Sequence, residues 1–189
     1  MKAMDAREAI VGSLKFIAVF LVLFVAASAV LAPLGFFNTL ALESTRAFLW
    51  AIGVDSSAAG FSGGFPLLRV DNFPYLIQIN DLCAAKMEFA VLLGIIFATF
   101  DRSLKQRLYG FVEGAAIALL LNPVRIGVSV LFFSPVIHDI LFRLMLVIVM
   151  VSYYALWYAW LSEPRPSKPP LPPKRSERPK GKRRKTAAK

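Results

Sequence analysis

The chain of 189 residues has one cysteine and one histidine. A single thiol cannot close an internal disulfide, and it cannot build a Cys-rich zinc site. One imidazole beside it does not make an ordinary metal cluster, so neither metal nor other cofactor is expected. Charge is also sparse: only 18% of residues are charged, and twelve of those are acidic. Apolar side chains fill the space. They make up 57% of the residues and give a mean hydropathy of +0.61, against about 45–50% apolar in soluble domains. The excess comes as long uncharged runs, which argues for lipid as the solvent. In such a chain a lone cysteine is by default a small inert hydrophobe. Its neighbours decide whether it is more than that.

The net charge of +10 is unevenly spread. Residues 162–189 hold eleven Lys/Arg against two Glu, which leaves eleven basic and ten acidic residues for everything before them. This tail is rich in proline and nearly free of large apolar residues, so it reads as disordered. Residues 1–161 read as a membrane-embedded core and 162–189 as a cytoplasmic tail anchored beside anionic lipid. The run Lys182–Lys185 is a charge cluster without further pattern, which does not by itself make a nucleic-acid site, and no nucleic-acid partner is expected.

Four apolar segments read as transmembrane helices. The first spans about Leu14 to Leu31 and ends before Pro33. Ala27-Ser28-Ala29 could mimic a signal-peptidase site, but the long mixed-charge leader suits a retained helix better. The second runs from about Leu82 to Phe100, the third from Leu108 to Phe132 and the fourth from His138 to Leu161. Tyr153, Tyr154, Trp157, Tyr158 and Trp160 read as an interfacial aromatic belt on the fourth. Residues 35–53 mix Phe36, Phe37, Leu40 and Trp50 with Asn38, Glu43 and Arg46. They read as an interfacial amphipathic helix, with a short fifth span as the alternative. From Ser56 to Asn80 the chain reads as extended. Two apolar-rich runs, 65–70 and 75–80, flank Asp71-Asn72-Phe73-Pro74 and predict a β-hairpin. The expected fold is therefore an all-α polytopic membrane protein of about four transmembrane helices, with an exported amphipathic helix and a small β-hairpin between the first two.

Basic residues fix the orientation. Lys2, Arg7 and Lys15 precede the first span, Arg102, Lys105 and Arg107 link the second to the third, and the basic tail follows the fourth. With four spans all three regions share the cytoplasmic side. Helix rise then places Cys83 about 25 Å above Phe100 and Arg125 about 27 Å above Arg107. His138 opens the fourth span from the same outer side. Three chemically active side chains on three helices thus reach one level.

Each has a bland alternative. Arg125 could snorkel to headgroups, and His138 could be a plain interfacial residue. Lys86 and Glu88 could pair with one another or help order the site, and Arg143 could pair with Asp139 one turn back. Together, however, Cys, His and Arg make a nucleophilic set. A guanidinium favours the thiolate, and it can stabilise the oxyanion when a carbonyl is attacked. An imidazole can take the thiol proton and return it to the leaving amine.

The sequence here resembles the exosortase/archaeosortase family of membrane cysteine transpeptidases, over roughly residues 45–160. The family carries a Cys after an extended segment, then Asn-x-x-Arg, then a His or Arg after a short loop. Cys83 follows the stretch 75–81, Asn122-Pro123-Val124-Arg125 fits the second motif, and His138 stands third. Many members have Cys-Ser-Gly or Cys-Thr-Gly where this chain has Cys83-Ala84-Ala85. The resemblance implies a plasma-membrane enzyme with an extracytoplasmic active site. It implies exported partner proteins ending in a motif, a transmembrane helix and a basic cluster. It also implies transfer of the new C-terminus to an acceptor, commonly a lipid. Cys83, Arg125 and His138 would be catalytic, with Asn122, Lys86, Glu88 and Arg143 in supporting positions. The rival reading is a membrane adaptor or assembly factor that recruits partners through its basic tail.

Overall fold

The computed structural model describes residues 6–71, 73–132, 140, 144 and 148–161. His138, Asp139, Arg143 and the tail 162–189 lie outside the described residues. Among the described residues, two helices are long and apolar enough to cross a membrane. Helix α1 (Ala6–Leu31) has 26 residues and α4 (Leu104–Phe132) has 29. At 1.5 Å per residue each exceeds a hydrocarbon thickness of about 30 Å. In α1 this follows from an apolar run with no helix breaker before Pro33. The helix turns large apolar side chains outward all along its length, among them Leu14, Val22 and Val30. Helix α4 begins four residues earlier than the hydropathy suggests. Ser103 and Gln106 cap it reciprocally: Gln106 accepts from the Ser103 amide at 2.9 Å, and Ser103 Oγ accepts from the Gln106 amide at 3.3 Å.

Helix α2 (Phe36–Ala51) is the expected amphipathic helix. It buries Asn38, Ala41, Leu42, Thr45 and Leu49, and packs on α4 and on the sheet. The sheet is larger than a hairpin. Strands β1 (Ser56–Ser62), β2 (Phe65–Val70) and β3 (Leu76–Gln78) form one antiparallel sheet in the order β1-β2-β3. The Gly63-Gly64 turn, with both residues at positive φ, closes the first hairpin. β1 was hidden in the sequence because Ser-Ser-Ala-Ala-Gly has no alternation, and most of the strand is exposed.

Helix α3 (Lys86–Phe97) has only 12 residues, about 18 Å. The segment expected to be helical from Leu82 instead begins with a non-helical turn, 81–85. Helix α5 (Met150–Leu156) continues as a π-helical segment, Trp157–Leu161. The aromatic belt is corrected here: Tyr153 and Trp157 are buried in the bundle. Glycines on α4 make the room. A Cβ on Gly110 would sit 2.1 Å from Trp157 Nε1, and one on Gly114 would sit 2.5 Å from a Tyr153 ring carbon.

Two apolar cores result. One joins α2, the sheet and the far end of α4, and it includes Cys83 and Ala84. The other joins α3, α4 and α5, and it includes Ala85, Leu92 and Trp157. The turn 81–85 lies on the seam between them.

Candidate active site at the Cys83 turn

Asn80 shapes the turn locally. Its Oδ1 accepts from the amides of Leu82 at 3.0 Å and Cys83 at 3.3 Å, and its backbone carbonyl also accepts from the Cys83 amide at 3.0 Å. This is the Asx-type alternative to helix, and it delays the start of α3. Ala85 then takes φ +57° and ψ +11°, the one non-glycine residue with positive φ among the described residues. A left-handed residue costs about 1–2 kcal/mol without glycine, so tertiary packing has to hold it.

That packing comes from three sides. From α2, Asn38 Nδ2 donates to the Ile79 carbonyl at 3.1 Å and to Asp81 Oδ1 at 3.2 Å. From the end of α1, the Ala32 carbonyl accepts from Lys86 Nζ at 3.0 Å, and the same ammonium pairs with Asp81 at 2.6 Å. From α4, Asn122 Nδ2 donates to the Cys83 carbonyl at 2.8 Å, and Arg125 Nη2 donates to the Leu82 carbonyl at 3.1 Å. Arg125 Nη2 also donates to Asn122 Oδ1 at 2.7 Å, so the two residues of the Asn-x-x-Arg motif fix one another. They sit three positions apart, on one face of the helix.

Arg125 is 6% exposed and Glu88 5%. Snorkelling is excluded by that burial. The two form a buried ion pair through Arg125 Nη1 and Glu88 Oε1. Lys86 and Glu88 therefore do not pair with each other. They are two positions apart on α3, pointing to different neighbours: Asp81 for one and Arg125 for the other. Glu88 Oε2 has no hydrogen-bond partner. Glu88 also lines a cavity of about 20 Å³, room for one water, together with Ala118, Leu121, Asn122, Arg125, Val149 and Met150.

The turn lies before the helix, and its two titratable groups move in opposite directions. Burial pushes the Cys83 thiol up. Arg125 and the hydrogen bond with Asn80 pull it down, Glu88 pushes it up again, and the balance stays above the ordinary thiol value. Burial also pushes Asp81 up, but hydrogen bonds from Lys86 and Asn38 and the charge of Lys86 outweigh it. The carboxyl ends below its ordinary value.

Of the residues singled out in the sequence, Cys83, Asn122, Arg125, Glu88 and Lys86 converge on this turn. His138 and Arg143 lie outside the described residues. Asn38, Asn80 and Asp81 were missed as contributors. The Asn-Asp pair after an extended run was a readable turn signal, whereas Asn38 makes contacts 41 and 43 positions away that no local pattern encodes. No protein family, curated protein or solved structure matches this chain.

Proposed function

We propose that this chain is a membrane-embedded cysteine transpeptidase of the exosortase/archaeosortase kind. It cleaves the C-terminal sorting signal of exported proteins and passes the new C-terminus to an acceptor such as a lipid. The observation that carries the reading is the grip of Asn122 and Arg125 on the carbonyls of Cys83 and Leu82. Two residues of one motif on α4 hold the main chain of the only cysteine. A second observation favours it: the family's glycine falls at Ala85, the position with a left-handed backbone. On this reading the thiolate of Cys83 attacks the scissile carbonyl and forms a thioester. Arg125 supplies positive charge beside it, and His138 takes and returns the proton.

Membrane embedding is supported by α1 and α4, which are long and apolar enough to cross, and by their outward apolar faces. The reading adds α3 and the last helix as further spans in a plasma membrane. It puts the Cys83 turn on the extracytoplasmic face and both termini in the cytoplasm. The 12 residues of α3 are too few to cross alone.

The adaptor reading keeps one specific point in its favour. Cys83 is 7% exposed, and burial holds its thiol up. Co-expression with an exported protein ending in motif, apolar helix and basic cluster separates the two. Cys83→Ala should abolish processing at unchanged membrane levels. Normal processing in that variant sinks the enzyme reading, and loss only on removing 164–189 favours the adaptor.

A further inference from the structure

One edge of the small sheet leads straight to the cysteine. Among the described residues β3 has β2 on one side and no strand on the other. The register pairs Leu67 with Gln78, Leu68 with Ile77 and Arg69 with Leu76. The Ile79 amide donates to the Pro66 carbonyl at 2.9 Å. By the alternation of an antiparallel ladder, Ile77 and Ile79 turn their main-chain groups towards β2, and Leu76 and Gln78 turn theirs away from it. Leu76 and Gln78 are exposed. The Gln78 side chain is held towards β1, where its Nε2 donates to the Ser62 carbonyl at 2.8 Å. The open stretch ends at Asn80, whose carbonyl and Oδ1 are taken by the Leu82 and Cys83 amides. An edge of this kind is a template for one more strand. Cys83 follows Gln78 by five positions, about 16 Å or less of extended chain.

We propose that the free edge of β3 binds the recognition segment of the exported substrate as an added parallel strand, through main-chain hydrogen bonds at Leu76 and Gln78. This rests on the transpeptidase reading of the Cys83 turn. The direction follows from topology. β3 leads through the turn into α3, and on that reading the substrate's segment leads into its own membrane helix. Parallel pairing sends both helices the same way, and antiparallel pairing sends them apart. The occupant is an extended peptide, held by its backbone and read by its side chains at alternate positions.

The test is disulfide crosslinking in membranes, with the full chain carrying Cys83→Ala and therefore no other thiol. The probe is a co-expressed exported protein ending in an extended segment, an apolar helix and a basic cluster. Single cysteines are placed in turn along its extended segment. Leu76→Cys and Gln78→Cys should each crosslink best at one position, with the Gln78 partner two residues C-terminal to the Leu76 partner. The reverse order overturns the parallel strand. So does an absence of crosslinks, or a Gln78→Cys disulfide formed only between two copies of this chain. Processing by the chain with Cys83 intact supplies a second readout. Gln78→Pro removes an amide that faces away from β2, which an edge strand tolerates, and processing should fall about three- to tenfold. Ala58→Pro is the control on the far edge. The Asp71 amide donates to the Asp55 carbonyl, so the Ala58 amide faces away from β2, and processing should be normal. Unchanged processing in Gln78→Pro, or equal loss in both variants, overturns the proposal. Crosslinking needs no cleavage: ordered crosslinks to a chain that processes nothing would keep the added strand and remove the transpeptidase.

Discussion

Ala85 carries the sharpest consequence at the scale of single residues. Glycine there would remove about 1–2 kcal/mol of left-handed backbone cost and lose one buried methyl, about 0.8 kcal/mol. Ala85→Gly should therefore change stability by less than about 1 kcal/mol. Ala85→Val adds a branched side chain at positive φ in a site 1% exposed, and it should cost about 2 kcal/mol or more. Thermal unfolding in detergent compares the two. Asn122→Ala leaves the buried Cys83 carbonyl without its donor, an expected loss of about 1–3 kcal/mol. Asp81 gives a pH signature. Its folded value is depressed, so its tie to Lys86 stabilises the fold above the unfolded carboxyl value of about 3.9. That stability is lost as pH falls through the folded value. Asp81→Asn should flatten acid unfolding below about pH 4 and leave higher pH unchanged in slope.

Among the elements, the glycines of α4 decide how closely α5 can approach. Gly110→Ala drives a methyl into the Trp157 indole, which is 1% exposed and has nowhere to go. A loss of about 1–3 kcal/mol is expected. Gly12→Ala on α1 meets nothing within 4 Å and should stabilise by up to about 1 kcal/mol through helix propensity. If both substitutions behave alike in unfolding experiments, the packing of α5 on α4 is wrong. The helices α1, α2 and α4 were legible because hydropathy and amphipathic spacing are local properties. β2 and β3 were legible for the same reason. β1 was not, since it pairs through backbone bonds and carries small polar and apolar residues without period. The head of α3 was misread because Leu82, Cys83, Ala84 and Ala85 are all compatible with helix, and only Asn80 together with contacts from α2 and α4 redirects them. The meeting of Cys83 and Arg125 was legible from helix rise. The pairing of Glu88 with Arg125 was not, because it depends on helix rotation.

For the whole molecule the open quantity is orientation. Replacing Cys83 by Ala leaves a chain without thiols, into which single cysteines can be placed. Ser57→Cys, on the exposed side of β1, should react with a membrane-impermeant maleimide in intact cells. Lys105→Cys, at the start of α4, should react only after permeabilisation. The opposite pattern would invert the chain and remove the extracytoplasmic site. The Cys83 turn itself has a bearing on where such a site can be built. Irregular backbone normally stays in water, because unpaired carbonyls are costly in hydrocarbon. Here the carbonyls of Leu82 and Cys83 are answered by amide and guanidinium groups from α4, and that of Ile79 by Asn38. The stretch carries its own hydration shell in the form of side chains, so irregular backbone of this kind can persist at a depth that water does not reach.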